Sequence, residues 1–198
     1  MPILVAPTSL RLLRAGPRKD GGWINVLQWE ASSDSDVSYM IKRRYGHAPM
    51  EFGDGQTLAF VSGNCFADSS SEVGRPTFYA VYPRIGKYVG HEGRSVYAGI
   101  RPGDVLNLKA SRNGPSEVEL MWELPFNAVD CTVRKAHDLA RINRFSGPTL
   151  DVADIHSGTI DRDASLKDHY VVFCTFYDPI KSAYVYSTGL RIHALPYS

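Results

Sequence analysis

Cysteine side chains are the residues of this 198-residue sequence best suited to nucleophilic chemistry. The chain has three, Cys65, Cys131 and Cys174, and no two of them have the C-x-x-C spacing of a zinc or redox site. Cys174 lies in YVVFCTFYD, an aromatic and β-branched run whose alternate residues point to one side of a strand. Cys131 has a similar setting in VDCTVRKA. Because a buried free cysteine behaves as a small hydrophobe, we interpret both as packed thiols, and a bond between them is the alternative if their strands are neighbours.

Cys65 lies in a less regular segment, SGNCFAD, and is the remaining candidate for a catalytic thiol. Such a thiol needs a base within hydrogen-bond reach. The six histidines fall in predicted loops or near strand ends, and none has the H-E-x-x-H or another metal-ligand spacing. The sequence contains neither a G-x-S-x-G elbow nor a glycine-rich phosphate loop. We therefore predict no catalytic residues, no cofactor and no enzymatic activity.

Four aspartates, Asp151, Asp154, Asp161 and Asp163, could gather at one end of the second half of the chain. Clustered carboxylates can bind calcium, but this spacing matches no calcium loop and Arg162 lies between two of the four. Turn formation accounts for aspartates at such positions equally well. We expect no metal site.

The densest basic run of the chain is IKRRYG, which begins at Ile41. On a strand, Lys42 and Arg44 point to one side while Ile41 and Arg43 point to the other. Charged side chains on an exposed strand face usually serve solubility and protect sheet edges. The alternative is a polar face that receives an acidic partner. On that alternative we predict Lys42, Arg44 and Tyr45 as the binding residues, with Tyr45 as the aromatic anchor.

The sequence pattern of the elements that position these side chains occurs twice in the chain. Five landmarks recur in the same order, and each pair is separated by 90 to 95 residues. Small drift in such an offset is what insertions and deletions in loops produce. The paired landmarks are Pro7 and Pro102, Trp29 and Trp122, Val37 and Val129, Ser62 and Ser157, and Ala98 and Thr188.

Each copy has the pattern of short β-strands. Apolar residues alternate with a period of two, as Val118, Leu120 and Trp122 do in the second copy. The intervening segments, such as AGPRKDGG, ASSDSD and SRNGPSE, are rich in the residues that form turns. About seven short strands per hundred residues predict an all-β chain with two antiparallel two-sheet sandwiches.

Each half resembles a fibronectin type III module. The matching features are a proline before the first strand, the V-x-L-x-W pattern that ends at Trp122, and an aromatic residue that opens the sixth strand after a leucine, as Tyr170 follows Leu166. The first copy departs at Asn25, where an apolar residue is expected. The resemblance implies two tandem seven-stranded modules, at residues 1–100 and 101–198, and a general-purpose scaffold that does not specify a function.

Charge and hydropathy argue against two further classes of protein. The net charge of +1 argues against a nucleic-acid binder, and no apolar run reaches the length of a membrane span. We predict a non-enzymatic protein-interaction or spacer module, part of a larger protein or assembly, whose partner is another protein. Carbohydrate is a second candidate ligand, and the alternative function is an accessory module of a carbohydrate-active or other multidomain enzyme. Three cysteines without a disulfide pattern favour the cytoplasm, and an extracellular location follows if a signal sequence lies outside this chain.

Overall fold

The computed structural model describes residues 4–138 and 142–194. The chain folds into two compact units, Met1–Arg101 and Pro102–Ser198, which we call unit 1 and unit 2. The named secondary-structure elements in the described residues are all β-strands, and every pairing between two of these strands is antiparallel. The all-β class predicted from the period-two alternation is confirmed.

Unit 1 has a three-stranded sheet in the order β1–β2–β5 and a five-stranded sheet in the order β4–β3–β6, with β7 and β8 both paired to β6. The strands are β1 (Thr8–Pro17), β2 (Trp23–Glu30), β3 (Ser38–Tyr45), β4 (Gln56–Val61), β5 (Cys65–Asp68), β6 (Pro76–Ile85), β7 (Tyr88–Val89) and β8 (Arg94–Ile100).

Unit 2 repeats this topology. Its sheets have the orders β9–β10–β13 and β12–β11–β14, with β15 and β16 both paired to β14. The strands are β9 (Leu106–Arg112), β10 (Val118–Glu123), β11 (Ala128–Ala136), β12 (Thr149–Leu150), β13 (Gly158–Asp161), β14 (His169–Asp178), β15 (Ala183–Tyr186) and β16 (Leu190–His193).

The described residues of each unit contain eight strands rather than seven, because the last strand is interrupted. β15 pairs with the end of β14 and β16 with its beginning, and β7 and β8 divide β6 in the same way. A glycine lies in each interruption, Gly93 in unit 1 and Gly189 in unit 2. A Cβ at either position would come within 2.5 Å of the ring of Tyr82 or Phe173, respectively. Glycine therefore lets an aromatic side chain lie directly beneath the interrupted strand.

The core of unit 1 lies between its two sheets. Leu27 and Trp29 project from β2 toward Tyr39 and Ile41 of β3, with Val81 of β6 completing the centre. Trp29 meets Tyr39 edge-on, with ring centroids 5.4 Å apart, which is a favoured aromatic geometry.

The core of unit 2 has the same plan. Trp122 ends the row of inward side chains on β10 and is 3% exposed, as Trp29 ends the row on β2 at 2%. The other inward residues are Val118 and Leu120 of β10, Cys131 and Val133 of β11, and Val172, Cys174 and Phe176 of β14.

The outer faces of both five-stranded sheets are also buried over part of their central strands. Met40, Ala80 and Tyr82 form a second apolar cluster on unit 1, and Val171 and Phe173 form one on unit 2 together with Ile142 from the loop after β11. A strand covered on both faces has no polar side. This explains why FYAVY in β6 and YVVFC in β14 are apolar throughout.

Cys131 and Cys174 are opposite each other in the β11–β14 register, and both are free and buried. Burial raises the pKa of each thiol to about 12. Both are therefore un-ionised at neutral pH and act as core packing, as expected from their strand positions. Cys65 is free and exposed.

We predict that a maleimide reagent modifies the native protein rapidly at Cys65 and slowly at Cys131 and Cys174. Peptide mass spectrometry of the reaction time course measures the three rates. In urea the two buried thiols should react as fast as Cys65, which serves as the internal control. Rapid labelling of Cys174 in the folded protein would contradict its assignment to the core.

Candidate protein-binding surface

The only cation that β3 sends into the core of unit 1, within the described residues, is Arg43, and it meets a carboxylate there. Arg43 Nη1 donates to Asp68 Oδ2 at 2.8 Å, and the Tyr79 hydroxyl donates to the same oxygen at 2.5 Å. Asp68 ends β5, in the opposite sheet. The three side chains therefore tie the two sheets together through charge-assisted hydrogen bonds.

Asn25 belongs to the same buried network. Its Nδ2 donates to the Tyr79 hydroxyl at 2.9 Å and to Ser71 Oγ at 3.3 Å. Its Oδ1 accepts a hydrogen bond from Trp23 Nε1 at 3.1 Å. Because a buried polar group requires partners, the amide at this otherwise apolar position is explained by the network that it completes.

Unit 2 contains the same arrangement 91 to 93 residues later. Lys135 Nζ of β11 lies 2.9 Å from Asp161 Oδ2, and the Tyr170 hydroxyl donates to that oxygen at 2.9 Å. In both units the aspartate also accepts a backbone hydrogen bond from the residue two positions on, Ser70 or Asp163. We call each set of base, aspartate and tyrosine a buried triad.

The protonation states of the first triad follow from its contacts. Burial by itself raises the pKa of the Asp68 carboxyl, but hydrogen bonds from Tyr79, Ser70 and Arg43 outweigh it and hold that pKa below its ordinary value. Burial, reinforced by the neighbouring carboxylates, raises the pKa of the Tyr79 and Tyr170 hydroxyls. The aspartate is thus an anion at neutral pH and the tyrosines are neutral donors. This chemistry joins sheets and offers no reactive group.

On β3 and on β11, the residue directly before the triad cation is also basic. Its side chain faces outward and holds a loop. Lys42 Nζ donates to the backbone oxygen of Phe52 at 2.9 Å. Arg134 donates from Nε and Nη2 to the backbone oxygen of Arg144, at 3.1 and 2.8 Å, and from Nη1 to that of Gly147 at 2.8 Å. These bonds fasten the loop that follows β3, at residues 46–55, and the described part of the loop that follows β11, at residues 142–148. In unit 1 the loop covers the outer face, where Phe52 packs edge-on against His91.

The predicted binding residues Lys42, Arg44 and Tyr45 lie together at one end of β3, and each already has a partner within unit 1. Lys42 is only 5% exposed. Arg44 forms an ion pair with Asp54. The Tyr45 hydroxyl accepts a hydrogen bond from the backbone nitrogen of Glu72 at 2.9 Å. Their role in binding stays a prediction, and the structure limits the accessible part of this site to Arg44 and Tyr45, which are partly buried.

A larger surface, not identified from the sequence, lies on unit 2. Tyr177 and Tyr184 are opposite each other on β14 and β15, with ring centroids 5.4 Å apart. Tyr186 follows on the same face, and Phe145 from the loop after β11 meets it edge-on at 6.4 Å. The Arg144 guanidinium lies 3.4 Å from the centre of the Tyr186 ring. We call these five residues the aromatic cluster.

The aromatic cluster is open to solvent, and a hydrogen bond holds its arginine in place. Phe145 is 82% exposed and Tyr184 58%, while Tyr177 and Tyr186 are 43% and 38% exposed. Arg144 Nη2 donates to Thr175 Oγ1 at 3.0 Å, which holds the guanidinium over the sheet. A period-two pattern places Tyr184 and Tyr186 on one face of β15, so this half could be found from sequence. Arg144 and Phe145 arrive from a distant loop and have no local signal.

The remaining candidates for chemistry have separate structural roles. Asp161 belongs to the buried triad, and Asp154 accepts hydrogen bonds from the His156 nitrogen and Ser157 Oγ within a turn. His169 and His193 stack with ring centroids 4.4 Å apart. In the part of the chain that the structure describes, no group of three or more His, Cys, Asp or Glu residues is arranged to hold a metal ion. No helix among these residues is long and apolar enough to cross a membrane.

No protein-family model and no curated protein sequence matches the chain. Solved structures do match. A two-domain fibronectin type III segment of chicken tenascin has a TM-score of 0.50 and 13% identity, and the match covers 95% of this chain and 100% of that one. The FN1–FN3 domains of chicken CNTN1 give 0.33 and 14%, over 98% and 69% of the two chains. The α chain of the chicken interferon γ receptor gives 0.39 and 15%, over 98% and 100%.

The resemblance to fibronectin type III modules is thereby confirmed as a resemblance of fold. At 13% identity the tenascin segment shows the shared architecture and not a shared activity. The function must be argued from the surfaces of this chain.

We predict that Asp68→Asn destabilises unit 1 by about 3–5 kcal/mol, because the variant leaves the buried Arg43 cation without its counter-charge. The folded pKa of Asp68 lies below the ordinary 3.8, so its contribution is complete above that value and is lost as the pH falls toward the folded pKa. Stability should therefore decline less steeply below about pH 4 in the variant than in the wild type.

Urea unfolding in a Trp122→Phe background measures this effect, because both remaining tryptophans then lie in unit 1. Glu92→Gln, at an exposed site of the same unit, is the control and should leave the unfolding midpoint unchanged. Equal midpoints for Asp68→Asn and Glu92→Gln would show that the triad does not stabilise the sandwich.

We also predict that Arg134→Gln loosens the loop after β11 while the core of unit 2 stays intact. The variant loses the hydrogen bonds to Arg144 and Gly147 that hold this loop. Hydrogen–deuterium exchange should accelerate in peptides from residues 142–150 and stay slow in those from β10. Arg191→Gln, an exposed arginine of the same sheet, is the matched control. Unchanged protection of the loop in Arg134→Gln argues against this role.

Proposed function

We propose that this chain, which has the fold of tandem fibronectin type III modules, is a non-enzymatic module that binds another protein through the aromatic cluster of unit 2. The observation that carries the proposal is the exposure of four neighbouring aromatic rings beside an arginine on one sheet face. Soluble proteins seldom leave a contiguous apolar surface open unless a partner covers it.

The composition of the cluster fits the centre of a protein interface. Tyrosine and arginine are the residue types, with tryptophan, that dominate measured binding energies, and phenylalanine is enriched at interfaces. Tyr177, Tyr184 and Tyr186 add hydroxyl groups to their apolar rings, so the surface can bury area and still form hydrogen bonds.

The cluster is also largely ordered before binding. Arg134 fastens the loop that carries Phe145, Arg144 is held by Thr175, and the three tyrosines lie on hydrogen-bonded strands. Side chains that are already fixed lose less conformational entropy in a complex. A rigid sheet with one fastened loop therefore favours high affinity for a given area.

The ring geometry favours protein over carbohydrate. Neighbouring aromatic rings that are close to coplanar form a flat platform on which an extended sugar chain can stack. Here Tyr177 and Tyr184 are inclined by 59°, and Phe145 and Tyr186 by 87°. The uneven surface formed by these inclined rings accommodates the apolar side chains of a protein partner.

The predicted site of unit 1 is proposed as a second, more polar contact. Arg44 and Tyr45 supply its accessible groups, and Lys42 supports the adjacent loop rather than meeting the partner. Met50, at the tip of that loop, is 85% exposed and adds an apolar side chain. Arg44 steers an acidic partner, and contacts of this kind at an interface rim contribute roughly 0.5–1 kcal/mol each.

The alternative, an accessory module of a carbohydrate-active or other multidomain enzyme, assigns the same scaffold a spacer role. The gene context of the full-length protein separates these two hypotheses, because the alternative requires a catalytic domain in the same protein. The cellular compartment stays a prediction: the cytoplasm accords with three free thiols, and an extracellular location is the alternative.

Capture of partners by the immobilised chain, quantified by mass spectrometry, tests the aromatic cluster. The double variant Phe145→Ala, Tyr184→Ala should lose at least about tenfold in captured partner, since each hot-spot aromatic contributes on the order of 1–2 kcal/mol. Phe126→Ala, at an exposed phenylalanine outside the cluster, is the control. Equal capture by the folded double variant and the wild type would refute the proposed surface.

The same experiment includes Arg44→Glu, which reverses the accessible charge and keeps Lys42. Because this variant also breaks the ion pair with Asp54 of the loop, Asp54→Asn, which breaks the same pair and keeps the cation, is its control. Capture should fall, and the capture that persists should depend less on salt. Circular dichroism confirms that each variant is folded. Unchanged capture and unchanged salt dependence would remove unit 1 from the interface.

A further inference from the structure

We propose that the outer edge of β13 in unit 2 is a second binding site, which takes an extended peptide segment that carries lysine or arginine. In the described residues, β13 pairs with β10 at one end of the sheet order β13–β10–β9, and on its other side one isolated bridge joins Gly158 to Asp154. A cleft of about 730 Å³ is lined by β13, by the neighbouring part of β10 and by residues 150–154. That volume is within the range of about 300–1,000 Å³ typical of ligand sites.

The walls of the cleft are apolar and held in place. Met121 of β10 and Ile160 of β13 are 39% and 43% exposed on the near wall. Leu150 and Val152 line the far wall. Thr159 Oγ1 donates to the backbone oxygen of Asp151 at 2.7 Å, which joins the far wall to the edge strand. The cleft is therefore a preformed feature of the unit.

Backbone N–H and C=O groups of β13 point away from β10, where an added strand can form hydrogen bonds with them. Trp122 N donates to the backbone oxygen of Ser157 at 3.2 Å, so these two residues form a hydrogen-bonded pair. In an antiparallel ladder such pairs alternate with non-bonded ones, which turns the N–H and C=O of Ile160 away from β10. The Gly158 N–H points the same way, because it donates to the Asp154 oxygen at 3.1 Å. An extended peptide can pair with the groups of Ile160.

The charge of the cleft selects the peptide. Glu119, Asp151 and Asp154 line it, against one cation, Arg162, whose Nε lies 4.0 Å from a Glu117 oxygen. Hydrogen bonds from the Ser157 hydroxyl and the His156 nitrogen hold the pKa of Asp154 below its ordinary value, so this carboxyl is an anion at neutral pH. The lining repels acidic segments and nucleic acid and attracts basic side chains.

An alternating peptide satisfies both features of the site. Successive side chains of an extended segment point to opposite faces. On one face apolar side chains would meet Met121 and Ile160, and on the other lysines or arginines would meet Asp151 and its neighbours. We therefore expect a partner segment in which apolar and basic residues alternate.

Fluorescence polarisation with defined peptides tests this site on the full chain. The probe is a capped, fluorescein-labelled peptide of alternating lysine and valine. It should bind saturably, and about tenfold more tightly than the same peptide with glutamate in place of lysine. A lysine–valine peptide with N-methylated valines keeps the charge but loses backbone donors, and it should bind more weakly than the probe by a similar factor. Equal binding of either comparison peptide would overturn the proposal.

Protein variants locate the binding and separate it from the aromatic cluster. Asp151→Asn together with Asp154→Asn should weaken the probe about fivefold or more. Glu123→Gln, on the same strand outside the cleft, should bind like the wild type. The Phe145→Ala, Tyr184→Ala variant should also bind the probe normally. Loss of probe binding in that variant, or unchanged binding in the Asp151 and Asp154 variant, refutes the site whatever the outcome for the aromatic cluster.

Discussion

The ion pair inside each sandwich is the interaction on which the rest of the structure depends. Arg43 is a buried cation and Lys135 a partly buried one, and each is balanced by a buried aspartate at the end of a strand in the opposite sheet. A buried charge that loses its partner costs about 3–5 kcal/mol, a large part of the stability of a small domain. A shift of β3 by one residue would bring Lys42 or Arg44 toward Asp68 but would turn the core residues Tyr39 and Ile41 outward. Apolar packing therefore sets the register of the strand, and the triad then ties the two sheets together in that register.

That register determines what the neighbouring residues can do. With Arg43 and Lys135 directed inward, Lys42 and Arg134 must face outward, and both use this direction to fasten the following loop. The fastened loop of unit 2 brings Ile142 over the outer sheet face and Phe145 to its surface. The basic run of Lys42, Arg43 and Arg44 looks from the sequence like a binding face. Its first two residues instead hold the loop and the two sheets of the module together.

The fold could be predicted because it depends on patterns that are local and repeated. Paired tryptophans, period-two strands and turn residues each constrain the chain within a few positions. The burial of Lys42 and Arg43 could not be predicted, since charged strand residues are usually exposed. Lys42 is buried because it bonds to Phe52, and Arg43 because it bonds to Asp68; both partners are distant in the sequence. Asn25 could be recognised as a departure but not explained before its partner Tyr79 was placed. The aromatic cluster joins a loop to a hairpin some 40 residues later, so only half of it follows a local pattern.

The two units agree where they are buried and differ where they are exposed, and this contrast indicates where binding specificity resides. Both keep the base, aspartate and tyrosine of the triad at matching positions. On the surface, Phe52 of unit 1 packs against His91 of its own unit, whereas Phe145 of unit 2 is 82% exposed beside Tyr186. A duplicated scaffold must preserve the interactions that fold each copy, but its loops tolerate change. Surfaces present in one copy and absent from the other are therefore the ones that the fold does not require, which agrees with the binding role proposed for the aromatic cluster.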